Sequence, residues 1–173
     1  MLRVFPVEGP TTFADTFGAP RPNGRTHEGT DVFAAEGAPV LAVDDGRVEF
    51  GETALSGKRA TLFADDGTRY FFAHLSAVQG VDRKVRRGDV IGNVGHTGNA
   101  SQTPSHLHFE IHDASGVVNP FKPLEALRAG PSNPSEPSPP ALPSEPTSPP
   151  ARPARPVNGL ALLALLYLAS RRG

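Results

Sequence analysis

Apolar and polar positions alternate most cleanly in SHLHFEIH, Ser105 to His112, where Leu107, Phe109 and Ile111 are separated by His106, His108 and Glu110 and followed by His112. Successive side chains of a strand point to opposite faces, so this stretch predicts a half-buried strand. Its apolar residues face a core, and its other side carries three imidazoles and a carboxylate. The same period runs through ATLFADDGTRYFFAHL, where Ala60 to Phe63 and Arg69 to His74 are expected to pair around Asp65, Asp66 and Gly67. Period 2 then puts Tyr70, Phe72 and His74 on one face, with His74 ending its strand. PVLAV and RVEFGE flank Asp44, Asp45 and Gly46 in the same way and predict a second hairpin. VRRGDVIGNVG adds a short strand with glycines at both ends and leads through the loop HTGNASQTPS into the histidine-rich strand. Helix has little support before Pro123 to Leu127. The whole pattern predicts an all-β domain over residues 1–128.

The composition then changes abruptly. Residues 129–157 are dominated by Pro, Ser, Glu, Ala and Thr, which cannot bury enough apolar surface to offset the cost of ordering, and predict an extended, disordered linker. Residues 158–173 form a short tail whose apolar run, Gly159 to Ala169, is closed by Arg171 and Arg172. A helix that crosses the hydrocarbon needs about 20 residues, so this run is short for a span.

Charge and composition narrow the chemistry. The 17 basic and 18 acidic residues nearly balance, which gives no basic field for nucleic acid. Cysteine is absent, leaving His, Asp and Glu as the strong metal ligands. In THEGTDV, His27 and Asp31 are four apart, an even spacing that presents both on one face of an extended strand. Gly29 and the β-branched Thr30 and Val32 disfavour a helix there. With His108 they make a set of two imidazoles and one carboxylate, which suits zinc and leaves a fourth tetrahedral position open for water. His106 on the same strand face and His74 at another strand's end are then candidates to act on that water or on a developing oxyanion.

HEGTD, FFAHL and HLHFEI occur in that order, with GAPVLAVDDGRV and VRRGDVIG between them, and together they resemble the lysostaphin/LytM-type zinc endopeptidases, metallopeptidase family twenty-three. The resemblance covers roughly Phe5 to Leu124. It implies a duplicated hybrid motif whose antiparallel sheets form an active-site groove. It also implies hydrolysis of peptide bonds in the cross-links of bacterial peptidoglycan. Carried onto this sequence, it makes His27, Asp31 and His108 the ligands of a Zn²⁺ ion and His106 and His74 the catalytic histidines. His106 is the candidate general base and His74 the group that hydrogen-bonds the water or the oxyanion, with the two roles open to exchange. The family's aromatic-x-His-Leu is met by Phe72, Ala73, His74 and Leu75, whereas Ser105 stands where the family commonly has proline.

His96 and His112 fall outside these motifs and read as structural or solvated. Glu110 is either a partner that orients an imidazole or an exposed strand carboxylate. Arg87, Gly88 and Asp89 spell an adhesion tripeptide but read as the turn before a strand. Two rival functions remain to be weighed. The same fold also serves as a non-catalytic regulator of other cell-wall hydrolases, which loses zinc ligands, and here all five positions are filled. Biotinyl and lipoyl carrier domains share the look of GAPVLAVDDGRV and VRRGDVIG, but they need a lysine at a hairpin tip where this chain has Asp-Asp-Gly. A peptidoglycan substrate implies the cell envelope, and a monomer is the expected state. The Pro-rich segment, apolar run and Arg pair are similar to sorting tails of some Gram-negative bacteria, which implies membrane contact through the tail. No export signal is visible in MLRVFPVEGP, so the gene product is expected to begin upstream with one.

Overall fold

A computed structural model describes residues 2–128; the predicted linker (129–157) and tail (158–173) lie outside the described residues. The described chain is all-β apart from two short 3-10 turns and one C-terminal helix. Its strands are β1 (Thr30–Phe33), β2 (Pro39–Leu41), β3 (Gly46–Thr53), β4 (Gly57–Ala64), β5 (Arg69–Leu75), β6 (Ala77–Val78), β7 (Arg83–Val85), β8 (Val90–Asn93), β9 (His106–Asp113) and β10 (Gly116–Val118). All pairings are antiparallel. The larger sheet runs β1-β9-β5-β4-β3-β7, with β10 also on β9, and the smaller runs β2-β8-β6. Helix α1 (Phe121–Arg128) follows, its first N–H donating to the Asn119 side-chain oxygen at 2.9 Å. Among the described residues no helix is long and apolar enough to cross a membrane.

The alternation in β9 works as expected. Leu107 and Phe109 are fully buried and Ile111 nearly so. Phe109 meets the Tyr70 ring in a stacked arrangement at 6.1 Å and the Phe72 ring at 5.3 Å. Burying each of these large side chains contributes on the order of 1.5–3 kcal/mol, so the β5–β9 contact anchors the middle of the sheet. That fixes the register that matters for function: Asp31 lies opposite His108 on one side of β9, and Ala73 lies opposite it on the other.

Three local expectations are settled by the chain's pairings. The Asp65–Asp66–Gly67 hairpin is present, with Thr61 opposite Phe71 and Leu62 opposite Tyr70. Asp44–Asp45–Gly46, however, is no hairpin. β2 pairs with β8 in the small sheet while β3 pairs with β4 and β7 in the large one, so this Asp-Asp-Gly carries the chain from sheet to sheet. A strand has two edges, and both edges of β3 are taken. Asp45 instead accepts the Arg87 N–H at 2.8 Å, tying the crossover to the turn before β8.

The third concerns β5. Tyr70 and Phe72 do face the core, and strict alternation would send His74 inward with them. Instead the register with β4 shifts between Lys58 and Ala60, and His74 takes a left-handed backbone with φ 65°. A bulge of this kind re-aims a side chain, and here it brings His74 to the groove side together with Ala73. The His74 N–H is held by the Ser56 carbonyl at 2.8 Å.

Candidate metal centre and its groove

His27 does not share a strand with Asp31. β1 begins only at Thr30, and the chain bends at Gly29. His27 is instead pinned by backbone bonds on both sides, its N–H to the Ala19 carbonyl at 2.9 Å and its carbonyl from the Gly18 N–H at 2.8 Å. Gly29 matters here because a Cβ on it would stand 2.5 Å from the Phe109 carbonyl and 2.8 Å from the His108 ring. Only a residue without a side chain lets the His27 loop close onto β9. The sequence signal for convergence was correct, but it acts through a bend rather than through strand parity.

Three atoms converge: His27 Nε2 to Asp31 Oδ1 is 3.1 Å, His27 Nε2 to His108 Nδ1 is 3.0 Å, and His108 Nδ1 to Asp31 Oδ1 is 2.8 Å. Donor atoms around a tetrahedral zinc at 2.0–2.1 Å are about 3.3 Å apart, so the triangle is close to the required size. The outward atoms are all occupied. His27 Nδ1 donates to the Thr16 carbonyl at 2.9 Å, His108 Nε2 to Glu110 at 2.9 Å, and Asp31 Oδ2 accepts from Arg21 at 2.7 Å. Acceptors on the outer imidazole nitrogens leave the inner nitrogens with lone pairs for a metal, and the Arg21 bond leaves Asp31 one inward oxygen. The donor set and its surroundings fit zinc.

Electrostatics agree. Burial alone would raise the Asp31 pKa, but hydrogen bonds and charge from His108 and His27 hold it far below the ordinary carboxylate range. Burial pulls His108 down, yet the Asp31 and Glu110 hydrogen bonds and charges outweigh it and lift the imidazole to about 9. His108 in the metal-free protein therefore carries two protons at pH 7.5 and must shed one from Nδ1 to become a ligand. Zinc binding near neutral pH is expected to release protons, with the release diminishing as the pH rises past 9. Calorimetric titration in buffers of different ionisation heat measures this; zero release near neutral pH would show that His108 is already neutral in the metal-free protein.

His74 and His106 stand beside the triangle. Their rings are 5.1 Å apart, and the His74 ring is 5.9 Å from that of His108. His74 Nδ1 donates to the Thr97 carbonyl at 2.9 Å and His106 Nδ1 to the Pro104 carbonyl at 2.8 Å. Each Nε2 is thus left as an acceptor. Burial pulls the His74 pKa down to about 4, partly countered by the Thr97 bond and reinforced by the His106 and His108 charges, so His74 stays neutral at working pH. All five residues line one groove of about 710 Å³.

The structure also places residues that the motifs did not reach. Glu110 is no idle surface carboxylate: its two oxygens take His108 Nε2 at 2.9 Å and His112 Nε2 at 2.6 Å, and those bonds hold its pKa down against burial. Its position on the groove face was readable from strand parity. Arg21 had no such signal, since it reaches Asp31 from the residue just before a 3-10 turn, Pro22–Gly24, that no period predicts. His96 lies apart, near Ser105 and Glu36.

Comparison with known proteins meets this geometry. The DD-carboxypeptidase/endopeptidase Mpg of Neisseria meningitidis is 39% identical over 97 residues, covering 56% of this chain and 22% of that protein. The L-Ala--D-Glu endopeptidase of Bacillus subtilis is 35% identical over 122 residues, covering 64% and 37%. The chain thus spans about a fifth to two fifths of the length of these relatives. Among solved structures, the catalytic domain of lysostaphin from Staphylococcus simulans superposes with a TM-score of 0.59 at 31% identity, covering 67% of this chain and 93% of that one. The model of Peptidase family M23 matches residues 25–120, a span that holds the converging triangle, both flanking imidazoles and the sheet between them, and the chain belongs to that peptidase family.

Proposed function

We propose that this domain is a zinc-dependent endopeptidase that hydrolyses peptide bonds in the cross-links of bacterial peptidoglycan, working in the cell envelope. One observation carries the reading: a donor triangle of zinc size lies in the same groove as two imidazoles whose Nε2 atoms are free to accept. His27 Nε2, Asp31 Oδ1 and His108 Nδ1 would hold the ion. When bound, zinc supplies Lewis-acid polarisation of the scissile carbonyl and makes water more acidic. The names of the two relatives, both endopeptidases, support the substrate class.

The roles of the two histidines separate on their surroundings. His74, neutral and weakly basic, accepts a hydrogen bond at Nε2 and orients the attacking water. His106 is then the group that takes the water's proton and returns it to the leaving amine. The Pro104 and Thr97 carbonyls fix each ring's tautomer, so neither must reorganise before accepting. A non-catalytic regulator would have no use for tautomers locked in this way, which favours the enzyme.

Incubation of the zinc-loaded protein with purified peptidoglycans of different cross-link types, followed by mass analysis of the released peptides, tests the reading. New peptide termini are expected, with release abolished by chelation and restored by added zinc. Release that persists after exhaustive chelation, or none from any peptidoglycan, would refute it.

A further inference from the structure

Beyond the metal the groove floor is not symmetric. β9 and β5 run along it, with His108 opposite Ala73, Glu110 opposite Phe71 and His112 opposite Arg69. Near His74 the groove is lined by Leu55 and Ser56, and the Ser56 carbonyl accepts the His74 N–H. Along β5 away from His74, Arg69 also lines it. Its Nη2 donates to His112 Nδ1 at 2.8 Å, and His112 Nε2 in turn donates to Glu110. His112 therefore accepts from Arg69 at Nδ1 and spends its Nε2–H on Glu110. Glu110 divides its charge between His112 and His108 and touches Arg69 nowhere.

Among the described residues Arg69 makes no ion pair and only this one side-chain hydrogen bond, although it is half-buried on the groove floor. A guanidinium has five N–H donors in a rigid fork and is suited to a carboxylate. A second guanidinium, that of Arg59, lies 5.8 Å from the neighbouring Phe71 ring and adds to the positive field without neutralising it. Resting on the proposed peptidase function, we infer that Arg69 is a specificity-determining residue: it forms a subsite for a free carboxylate of the peptide substrate, and His112 positions it. The reach follows from the strand. His112 lies four positions beyond His108, about 14 Å at strand rise, which an extended peptide spans in about four residues. The carboxylate bound by Arg69 thus belongs to a peptide unit about three to four residue lengths from the scissile bond. An acidic stem peptide meets that need, and a bridge of neutral residues does not.

The test uses the zinc-loaded full chain and synthetic cross-linked stem peptides with all side-chain and α-carboxylates free, or with each amidated in turn. The wild type is expected to favour the acidic peptide over one amidated form by about ten- to a hundredfold in kcat/KM, chiefly through KM, the range for a hydrogen bond to a charged group. In Arg69→Ala the ratio should collapse toward one with stoichiometric zinc retained, and Arg69→Lys should recover part of it. A wild type indifferent to every amidation overturns the inference. So does an Arg69→Ala protein in which both peptides slow together and the ratio survives, since that marks a purely structural role. Cleavage of no peptide by the wild type refutes the peptidase reading itself, and the subsite falls with it.

Discussion

The His108→Ala protein is expected to lose stoichiometric zinc and with it all endopeptidase activity, the largest single effect in the domain. Three protein ligands are the minimum of a catalytic zinc site, so removing one leaves two donors and a cation that water competes for. His108 is also the corner through which the rest of the site is braced: Nδ1 faces Asp31 and His27, and Nε2 faces Glu110. Without it, Glu110 loses one of its two imidazole partners and Asp31 the larger of its hydrogen-bonding influences. Elemental analysis of the purified variant checks the first effect and peptide release the second. A contrasting variant, Glu110→Gln, keeps all three ligands and removes only the orienting charge; it is expected to weaken zinc by about 10- to 100-fold without abolishing it. Stoichiometric, tight zinc in His108→Ala would show that the ion is held elsewhere.

How much of this was legible in the sequence depends on the kind of signal. The face of β9 was readable to the residue, because strand parity is local and a core of Leu107, Phe109 and Ile111 leaves one solution. The hairpin at Asp65–Asp66–Gly67 was equally local. The Asp44–Asp45–Gly46 turn has the same chemistry and a different fate, since which strand a segment pairs with is set by competition for edges across the whole sheet. His74 shows the opposite failure. Its motif marked it as functional while its parity marked it as core, and the conflict is resolved by a bulge and a positive φ that neither signal contains. His27 and Asp31 converge as their spacing suggested, but through the bend that Gly29 permits. Arg21 and Thr16 were beyond reach, since each acts through a tertiary contact outside any periodic pattern or motif; Arg69 lay in a predicted strand, but its bond to His112 is a tertiary contact that strand parity does not contain.

His106→Ala is expected to keep zinc and lower kcat by about 10² to 10⁴, the usual contribution of a general acid or base. The ring donates from Nδ1 to the Pro104 carbonyl, packs 5.3 Å from the Phe33 ring and forms no hydrogen bond with the donor triangle. Truncation therefore removes a proton acceptor and leaves the metal's holders in place. His74→Ala should also retain zinc but cost less, because a neutral imidazole with a pKa of about 4 orients water rather than carrying its proton. The two variants are distinguishable by pH as well as by size. Burial keeps His74 unprotonated from neutral pH down toward 4, so replacing it should leave the acid limb of the kcat profile where it stands in the wild type. Replacing His106, the proposed proton acceptor, should cost the larger share of the rate, so its variant is expected to be the slower of the two. Zinc analysis, steady-state rates and the pH profile of each variant supply the comparison. If His106→Ala retained wild-type turnover, or if His74→Ala altered the acid limb, the base would have to be reassigned.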